Sequence, residues 1–278
     1  MRAISIIYRR ELGTYLRSPY GWGIAAILLL IDGLLFQGWA LNGEMLSAYV
    51  LERYFYVASA MPLFGGVPTV VMSPLSFLSR PRRWLAALSD YRATCSVAPN
   101  FAFDLCVKRI EPSELAGIDL HRVRAILNGS EPILPATLDR FVDRFGAVGL
   151  RRDALFCAYG LAENMVAVTF SPVARPPRLD RIDRARFEAE GVAVPSDDTD
   201  ALTFVGVGRA VPGHEIQVVD AQEVPLPERR RGVVRFRGPS TFKGYYRRPD
   251  ASSAVKREGG WVDTGDLGYL AEGDLFIV

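Results

Sequence analysis

The 278-residue sequence predicts an α/β fold, in which helices cover a sheet rich in parallel strands and a small β subdomain follows. A single transmembrane helix is predicted to precede this fold. Three observations lead to this prediction: short apolar runs alternate with amphipathic segments over residues 61–200, helical segments become rare over 201–278, and a long apolar run occupies 21–41. Alternating strands and helices favour a parallel sheet with helices on its faces. We therefore divide the chain into segments 1–60, 61–200 and 201–278.

The apolar run GWGIAAILLLIDGLLFQGWAL, at residues 21–41, is about as long as a helix that crosses a bilayer. Four arginines precede it, which favours a cytoplasmic N-terminus. Asp32 opposes this interpretation, because a carboxylate near the bilayer centre costs about 3 kcal/mol. The alternative is a buried helix or hairpin of a soluble domain. We thus expect a protein at the cytoplasmic face of a membrane or, alternatively, a soluble cytoplasmic one.

The segment that contains this run, residues 1–60, resembles the N-terminus of ABC-2 type transporter permeases. The stretch YRRELGTYLRSPYGWGIAAILLLIDGLLF carries the resemblance through its pattern E-L-x-x-Y-x-x-S-P. A permease needs several membrane-spanning helices to enclose a path, and the sequence after Leu41 offers no second one. Transport by this chain alone is therefore not expected.

Short β-type runs and amphipathic helices alternate in the next segment. We predict strands at residues 67–72, 94–97 and 125–127, and helices at 81–89, 101–110 and 135–145. Beyond residue 200, LTFVGVGRAVPGHEIQVVD and GVVRFRGPS have the pattern of strands in a smaller β subdomain. Residues 171–200 are crowded with Arg, Asp and Pro, which is typical of a solvated loop.

Charge and composition exclude several classes of protein. The net charge of +2 arises from nearly balanced acids and bases, so nucleic acid is not an expected partner. Cys95, Cys106 and Cys157 have neither metal-site nor disulfide spacing, and we interpret them as small core side chains in a reducing cytosol. His121 and His214 lie far apart, without the clustering of metal ligands, and we interpret them as structural or exposed.

Four short motifs carry the chemistry. AILNGSEP ends a predicted strand at an Asn-Gly pair, and AYGLAEN places an aromatic residue, a glycine and a carboxylate within one turn. GPSTFKGYYRRPD is a turn-rich connector. WVDTGDLGYL places Asp266 on a glycine-flanked turn beside a strand, where a carboxylate can accept two hydrogen bonds from a ribose diol. Each motif alone fits an ordinary turn, but their order and joint presence favour a nucleotide site.

In this order the motifs resemble those of the AMP-forming adenylating superfamily. SVAPNFAFDLC, AILNGSEP and AYGLAENMVAV are most similar to its fatty acyl-AMP ligase branch, and the resemblance runs from about residue 61 to 278. It implies ATP-dependent activation of a fatty or related carboxylic acid to an acyl-AMP, with ATP and Mg²⁺ as cofactors. An acyl carrier protein is an implied partner.

The resemblance implies positions for the adenine base. It places Tyr159 against the adenine face, with Gly160 next to it in the same motif. It places Gly129, Ser130 and Glu131 along the adenine edge. These five residues are the predicted contacts of the base.

The resemblance also implies roles for residues around the ribose, the phosphates and the acyl group. Asp266 would bind the ribose hydroxyls, and Glu163 would be both a catalytic residue and the ligand of Mg²⁺. Asn100 and Phe101 would lie near the acyl channel. Many superfamily members have threonine at the position of Ala162, and alanine is typical of the acyl-AMP branch.

Two further features bear on turnover. Residues 171–200 resemble the region where the acyl-AMP branch carries an insertion that hinders the domain rotation needed for transfer to CoA, which favours an acyl-AMP ligase over an acyl-CoA ligase. The sequence has no Ser/Thr/Gly-rich phosphate loop, and GDLFIV ends where the superfamily continues into a small domain that supplies a lysine. We therefore expect weak turnover from this chain alone. The alternatives are a fragment of an acyl-CoA ligase, or a membrane-anchored nucleotide- or acyl-binding module that arose by gene fusion.

Overall fold

A computed structural model describes residues 69–164 and 166–278. The chain divides into two compact units, Met1–Ser76 and Phe77–Val278. The permease-like segment 1–60 and the predicted membrane helix at 21–41 lie outside the described residues. Within 69–164 and 166–278, no helix has the length and apolar character needed to cross a membrane.

The described chain forms six α-helices and eleven strands. The helices are α1 (Pro74–Ser79), α2 (Arg82–Asp90), α3 (Asn100–Arg109), α4 (Pro135–Phe145), α5 (Arg184–Glu190) and α6 (Pro249–Val255). The strands are β1 (Cys95–Ala98), β2 (Ala125–Asn128), β3 (Leu155–Tyr159), β4 (Thr169–Phe170), β5 (Leu179–Ile182), β6 (Leu202–Val205), β7 (Arg209–Ala210), β8 (Glu215–Val219), β9 (Gly232–Arg237), β10 (Val262–Ala271) and β11 (Asp274–Ile277).

The first described residues correct one prediction. Residues 67–72 were expected to form a buried strand, but 69–73 have no regular secondary structure. Val70 and Val71, which suggested the strand, are exposed. The β propensity of such residues reflects how well they fit a half-buried pleated surface, and within residues 69–164 and 166–278 no strand pairs with them.

The largest sheet is mixed rather than purely parallel. Its order is β1-β2-β3-β4-β7; β1, β2 and β3 run parallel, whereas β4 and β7 pair antiparallel. The parallel half agrees with the prediction from strand and helix alternation. The antiparallel half could not be predicted from that alternation. Strands β4 and β7 contain two residues each, which is too few to show a hydrophobic period.

Helices α2, α3 and α4 supply the core of this half. Pro135 starts α4, where its missing N–H is not needed. Phe103, Phe141 and Phe145 are fully buried and meet edge to face, with ring centroids 4.7–4.8 Å apart. Trp84 of α2 contacts two of these rings. Such packing accounts for the agreement between the predicted and observed bounds of these helices, since apolar periodicity and burial coincide.

The second part of the chain is β-rich, as predicted. Strands β8 to β11 form an antiparallel sheet in the order β11-β10-β9-β8. The segment 171–200, however, is not a simple solvated loop. It contains β5 and α5, and β5 pairs with β6. Ile182 and Phe187 are buried in this segment. Its ordered partner, β6, lies outside the segment, so local composition could not reveal the pairing.

A buried polar network joins this segment to β10. Asp180 of β5 accepts a hydrogen bond from the Tyr269 hydroxyl at 2.7 Å and pairs with Arg229 Nη1 at 3.1 Å. Asp180 is only 6% exposed, and Tyr269 is fully buried. Burial, followed by the hydrogen bond to Asp180, raises the pKa of Tyr269 above its usual value. The cation beside Asp180 compensates the carboxylate for its loss of water.

The three cysteines differ in their exposure to solvent. Cys106 and Cys157 are buried as predicted, and burial raises the pKa of each thiol to about 12. Cys95 is exposed, so its interpretation as a core side chain is wrong. It lies on β1, at one end of the described sheet, where strand β2 covers only one side.

Candidate functional site

Two of the predicted site residues meet directly. Tyr159, the last residue of β3, donates a hydrogen bond from its hydroxyl to Asp266 Oδ2 at 2.6 Å. These residues are 107 positions apart, and they belong to different sheets. The contact places a phenol ring beside a carboxylate, and the assignment of both residues to an adenosine site stays a prediction.

The position of Asp266 differs in detail from the expectation. It lies within β10 at a β-bulge rather than on a turn beside a strand, because the pairing of β10 with β9 shifts between Asp263 and Leu267. Gly265 has φ of +82°, a left-handed conformation that suits glycine. Bulges redirect side chains, and this one leaves the Asp266 side chain exposed beside Tyr159.

The bulge is held by Thr264. The Thr264 hydroxyl donates to the Val234 carbonyl at 2.9 Å and accepts from the Asp266 backbone N–H at 3.1 Å. Burial, followed by the hydrogen bond to Asp266, raises the pKa of Tyr159 above its usual value. The phenol therefore stays protonated and remains a donor to Asp266, while the exposed carboxylate keeps lone pairs for a second donor.

Glu163 lies in a short 3₁₀ turn, Ala162–Asn164, that follows β3. Its Oε1 accepts a hydrogen bond from the Tyr245 hydroxyl at 2.5 Å, and its backbone carbonyl accepts from the Phe242 N–H at 2.7 Å. The hydrogen bond to Glu163 raises the pKa of Tyr245. Glu163 follows Tyr159 by four residues, and its charge is a minor cause of the raised pKa of Tyr159.

Two predicted glycines lie at close approaches within the chain. A Cβ at Gly160 would lie 1.8 Å from the Val166 carbonyl oxygen, which no side chain can tolerate. A Cβ at Gly129 would lie 3.0 Å from the Ala158 carbonyl oxygen on the neighbouring strand. Both glycines therefore have a structural reason for their place beside the Tyr159 strand. Their predicted contact with adenine stays a prediction.

The remaining predicted residues form a second group at the carboxyl ends of β1 and β2. Glu131 Oε1 accepts a hydrogen bond from the Phe101 backbone N–H at 2.5 Å, so it caps the start of α3. Asn100 Oδ1 accepts from Asn128 Nδ2 and from the Leu134 N–H, each at 3.3 Å. Ser130 is exposed with φ of +72°. Parallel strands bring these residues together because their carboxyl ends share one edge.

The donor set around Glu163 fits Mg²⁺ in one respect. Mg²⁺ in nucleotide enzymes is commonly held by one or two carboxylates together with substrate phosphates and water. Glu163 is a part-exposed carboxylate of that kind, and its further lone pairs remain after the bond from Tyr245. Within residues 69–164 and 166–278, no cluster of three or more His, Cys, Asp or Glu side chains forms a complete metal cage.

Sequence reasoning missed Tyr245 and Thr264. Tyr245 belongs to the connector motif GPSTFKGYYRRPD, which was recognised only as turn-rich. Its contact with Glu163 spans 82 positions and has no local signal. Thr264 lies in the same motif as Asp266, two residues away, so the close spacing was the available signal.

The mixed α/β fold is that of the N-terminal part of adenylate-forming enzymes. It is similar to the crystal structure of a fatty acyl-adenylate ligase from L. pneumophila in complex with acyl adenylate and pyrophosphate. The TM-score is 0.74 at 30% identity, over 78% of this chain and 39% of that chain. A second similar structure is an adenylation domain of a keto acid-selecting NRPS module bound to keto acyl adenylate, with a TM-score of 0.73 at 29% identity over 81% of this chain and 42% of that one.

Residues 53–246 match the AMP-binding enzyme family, and the chain belongs to that family. It is 36% identical over 231 residues to a long-chain-fatty-acid–AMP ligase of Mycobacterium tuberculosis, covering 78% of this chain and 39% of the relative. It is 34% identical over 227 residues to a medium-chain-fatty-acid–[acyl-carrier-protein] ligase of Moorena producens, covering 78% and 38%. The chain spans about 40% of the length of such curated relatives.

These matches bear on two predictions. They confirm the resemblance to AMP-forming ligases of fatty acids. They give no support to the permease resemblance of residues 1–60, and the family match begins at residue 53, inside that segment.

Proposed function

We propose that this chain takes part in the ATP-dependent activation of a fatty or related carboxylic acid to its acyl-adenylate. The observation that carries the proposal is the hydrogen bond between Tyr159 and Asp266. Family membership supports the reaction class, and this contact supports a nucleoside site at the two residues. Relatives named as fatty-acid ligases support the substrate class.

In the proposed site, different residues contact the base, the sugar and the phosphates of the nucleotide. The Tyr159 ring would pack against adenine, and the exposed Asp266 carboxylate would accept hydrogen bonds from the ribose diol. Gly129, Ser130 and Glu131 would line the edge of the base, beside Gly160. Glu163 would hold Mg²⁺, which neutralises charge on the phosphates when it is bound.

In the proposed reaction, a carboxylate oxygen of the acid attacks the α-phosphorus of ATP. The new bond joins that oxygen to phosphorus, and the bond from the α-phosphorus to the bridging oxygen breaks, so that pyrophosphate leaves with its electron pair. Catalysis of such a transfer is mostly positioning and charge neutralisation. Asn100 and Phe101 would lie along the acyl chain, and the product would pass to an acyl carrier protein, as the name of one relative states for that protein.

An acyl-CoA ligase is the second candidate, because another relative is named a fatty-acid–CoA ligase. The folded segment around β5 and α5 supports the acyl-AMP candidate, since residues 171–200 resemble the region where the acyl-AMP branch carries its insertion. Addition of CoA separates the two candidates. We expect acyl-AMP and no acyl-CoA.

The direct test is binding of an acyl-sulfamoyl-adenosine analogue to the full chain, measured by titration calorimetry. We expect binding that is weakened on Asp266→Asn and retained on Asp250→Asn. Asp250 is a matched control because it is an exposed aspartate on α6 that pairs with nearby Arg248. No binding by the unsubstituted chain would contradict the proposal. Exchange of labelled pyrophosphate into ATP, with a fatty acid present, then measures how much turnover the chain supports.

A further inference from the structure

A directional chain of hydrogen bonds leads to the turn that carries Glu163. His214 Nε2 lies 2.7 Å from Ser240 Oγ, and Ser240 Oγ donates to Asn164 Oδ1 at 3.0 Å. Asn164 Nδ2 donates to the Ala167 carbonyl at 2.8 Å. Asn164 is 1% exposed and directly follows Glu163.

The chemistry of these groups sets the direction of each bond. The Ala167 carbonyl can only accept, so the Asn164 amide must present its nitrogen there and its oxygen to Ser240. The single hydroxyl proton of Ser240 is then used toward Asn164, so Ser240 accepts from His214 when the imidazole carries a proton on Nε2; Nδ1 lies 3.3 Å from the Pro212 carbonyl. The series of hydrogen bonds therefore runs from the His214 imidazole to the turn that carries Glu163.

The imidazole is held in place. A Cβ at Gly238 would lie 2.1 Å from His214 Cδ2, so the ring packs directly on the glycine backbone. Residues 238–245 meet the Glu163 turn at two further points, through the Phe242 N–H and the Tyr245 hydroxyl. The connector thus contacts the turn at three points, one of which depends on His214.

We propose that Ser240, oriented by His214, is a positioning residue that acts through Asn164 to hold the Glu163 carboxylate toward the metal-bound triphosphate. This inference rests on the proposed function, because it assigns Glu163 to Mg²⁺. It differs from a purely structural role in one respect. Loss of these hydrogen bonds should weaken the contribution of Mg²⁺ to nucleotide binding and leave the proposed adenosine contacts at Tyr159 and Asp266 intact.

The test is Ser240→Ala in the full chain, with calorimetric affinities for AMP without metal and for α,β-methylene-ATP with and without Mg²⁺. We expect the AMP affinity to stay within about twofold, and the Mg²⁺-dependent gain in affinity for α,β-methylene-ATP to fall about five- to tenfold, the effect of one lost hydrogen bond in a network. Ser240→Thr keeps the hydroxyl and should restore the gain.

Two further variants sharpen the test. His214→Leu should reduce the Mg²⁺-dependent gain, whereas His214→Gln, which keeps a side-chain N–H donor, should retain most of it. Ser253→Ala is the matched control, because Ser253 is exposed and its hydroxyl donates to the Pro249 carbonyl of its own helix. Thermal unfolding shows whether each variant is folded. If Ser240→Ala does not fold, His214→Leu replaces it in the test, with the same expected loss of the Mg²⁺-dependent gain.

The outcomes are separable. Equal losses in AMP affinity and in the Mg²⁺-dependent gain, or an unchanged gain in Ser240→Ala, would overturn this inference alone. No AMP binding by the unsubstituted chain would overturn the proposed function, and this inference with it.

Discussion

Strand β10 contributes to two tyrosine–carboxylate pairs, which have the same type of hydrogen bond in different surroundings. Tyr159 donates to Asp266 at 2.6 Å, and Tyr269 donates to Asp180 at 2.7 Å. In both pairs, burial and the carboxylate raise the pKa of the phenol. The surroundings of the two carboxylates differ. Asp180 is buried beside Arg229, whereas Asp266 is exposed.

This difference separates architecture from binding. A buried carboxylate with a cationic partner has its hydrogen-bonding capacity used within the protein, so it fastens β5 to β10. An exposed carboxylate that is oriented by one phenol retains acceptor capacity for a ligand. We therefore infer that the Asp180 pair stabilises the fold and that the Asp266 pair binds nucleoside.

The largest expected effect is on the buried pair. Asp180→Ala removes the buried carboxylate beside Arg229 and leaves that cation with the more exposed Glu272, 3.5 Å from its Nη2. Removing one partner of a buried pair costs about 3–5 kcal/mol. We expect that loss in the free energy of unfolding, measured with urea. The control Asp250→Ala, at an exposed pair, should leave the unfolding midpoint unchanged. A loss below about 1 kcal/mol for Asp180→Ala would show that the buried pair does not stabilise the fold.

The next effect is on binding. Asp266→Ala should weaken AMP binding about 100-fold, because two hydrogen bonds to a charged acceptor are lost. Its free energy of unfolding should fall by less than about 1 kcal/mol, since water can replace an exposed acceptor. Calorimetry and urea unfolding of the same protein give both values. A large loss of stability with unchanged affinity would reverse the assignment of the two pairs.

Removal of the hydroxyls should give smaller and unequal effects. Tyr269→Phe should lower the free energy of unfolding by about 1–2 kcal/mol, because it leaves a buried acceptor of Asp180 with one partner fewer. Tyr159→Phe should cost less than about 0.5 kcal/mol, because Asp266 is solvated. Urea unfolding of the two variants in parallel makes the comparison, and equal costs would contradict it.

Near neutral pH the two raised phenol pKa values have no effect on stability, and their effect is expected only in alkali. Both phenols have a raised pKa in the folded protein, so their contribution to stability is complete below the unfolded value of 10.0 and is lost as the pH rises above it. The unfolding free energy should therefore fall above about pH 10, by up to about 1.4 kcal/mol per pH unit for each phenol. Tyr269→Phe should flatten this fall, measured by urea unfolding at successive pH values. An identical slope in the variant would show that Tyr269 does not contribute.

Elements whose signal is local were predicted well. Helix α4 was predicted with the bounds it has, because Pro135 marks its start and its apolar period matches its buried face. The parallel strands β1 and β2 were placed to within one residue. The order of the nucleotide motifs indicated the family, which the matches confirm.

Elements whose partner lies far along the chain were not predicted. The segment 171–200 was expected to be a solvated loop, but β5 finds its partner in β6 and its buried carboxylate finds Arg229 and Tyr269. Thr69–Met72 has strand propensity and no strand structure. Local composition is polar in the first case and apolar in the second. In neither case does it indicate whether another strand is available for pairing.

The sequence by itself determined the helices of the α/β half, the glycines beside the site and the family. Those features depend on local periodicity, steric limits and motif order. The tertiary structure alone decided that Tyr159 meets Asp266, that a bulge at Gly265 presents that carboxylate, and that Tyr245 holds Glu163. These contacts depend on how strands from different sheets come together, and hydrogen bonds between groups so distant in sequence leave no local trace.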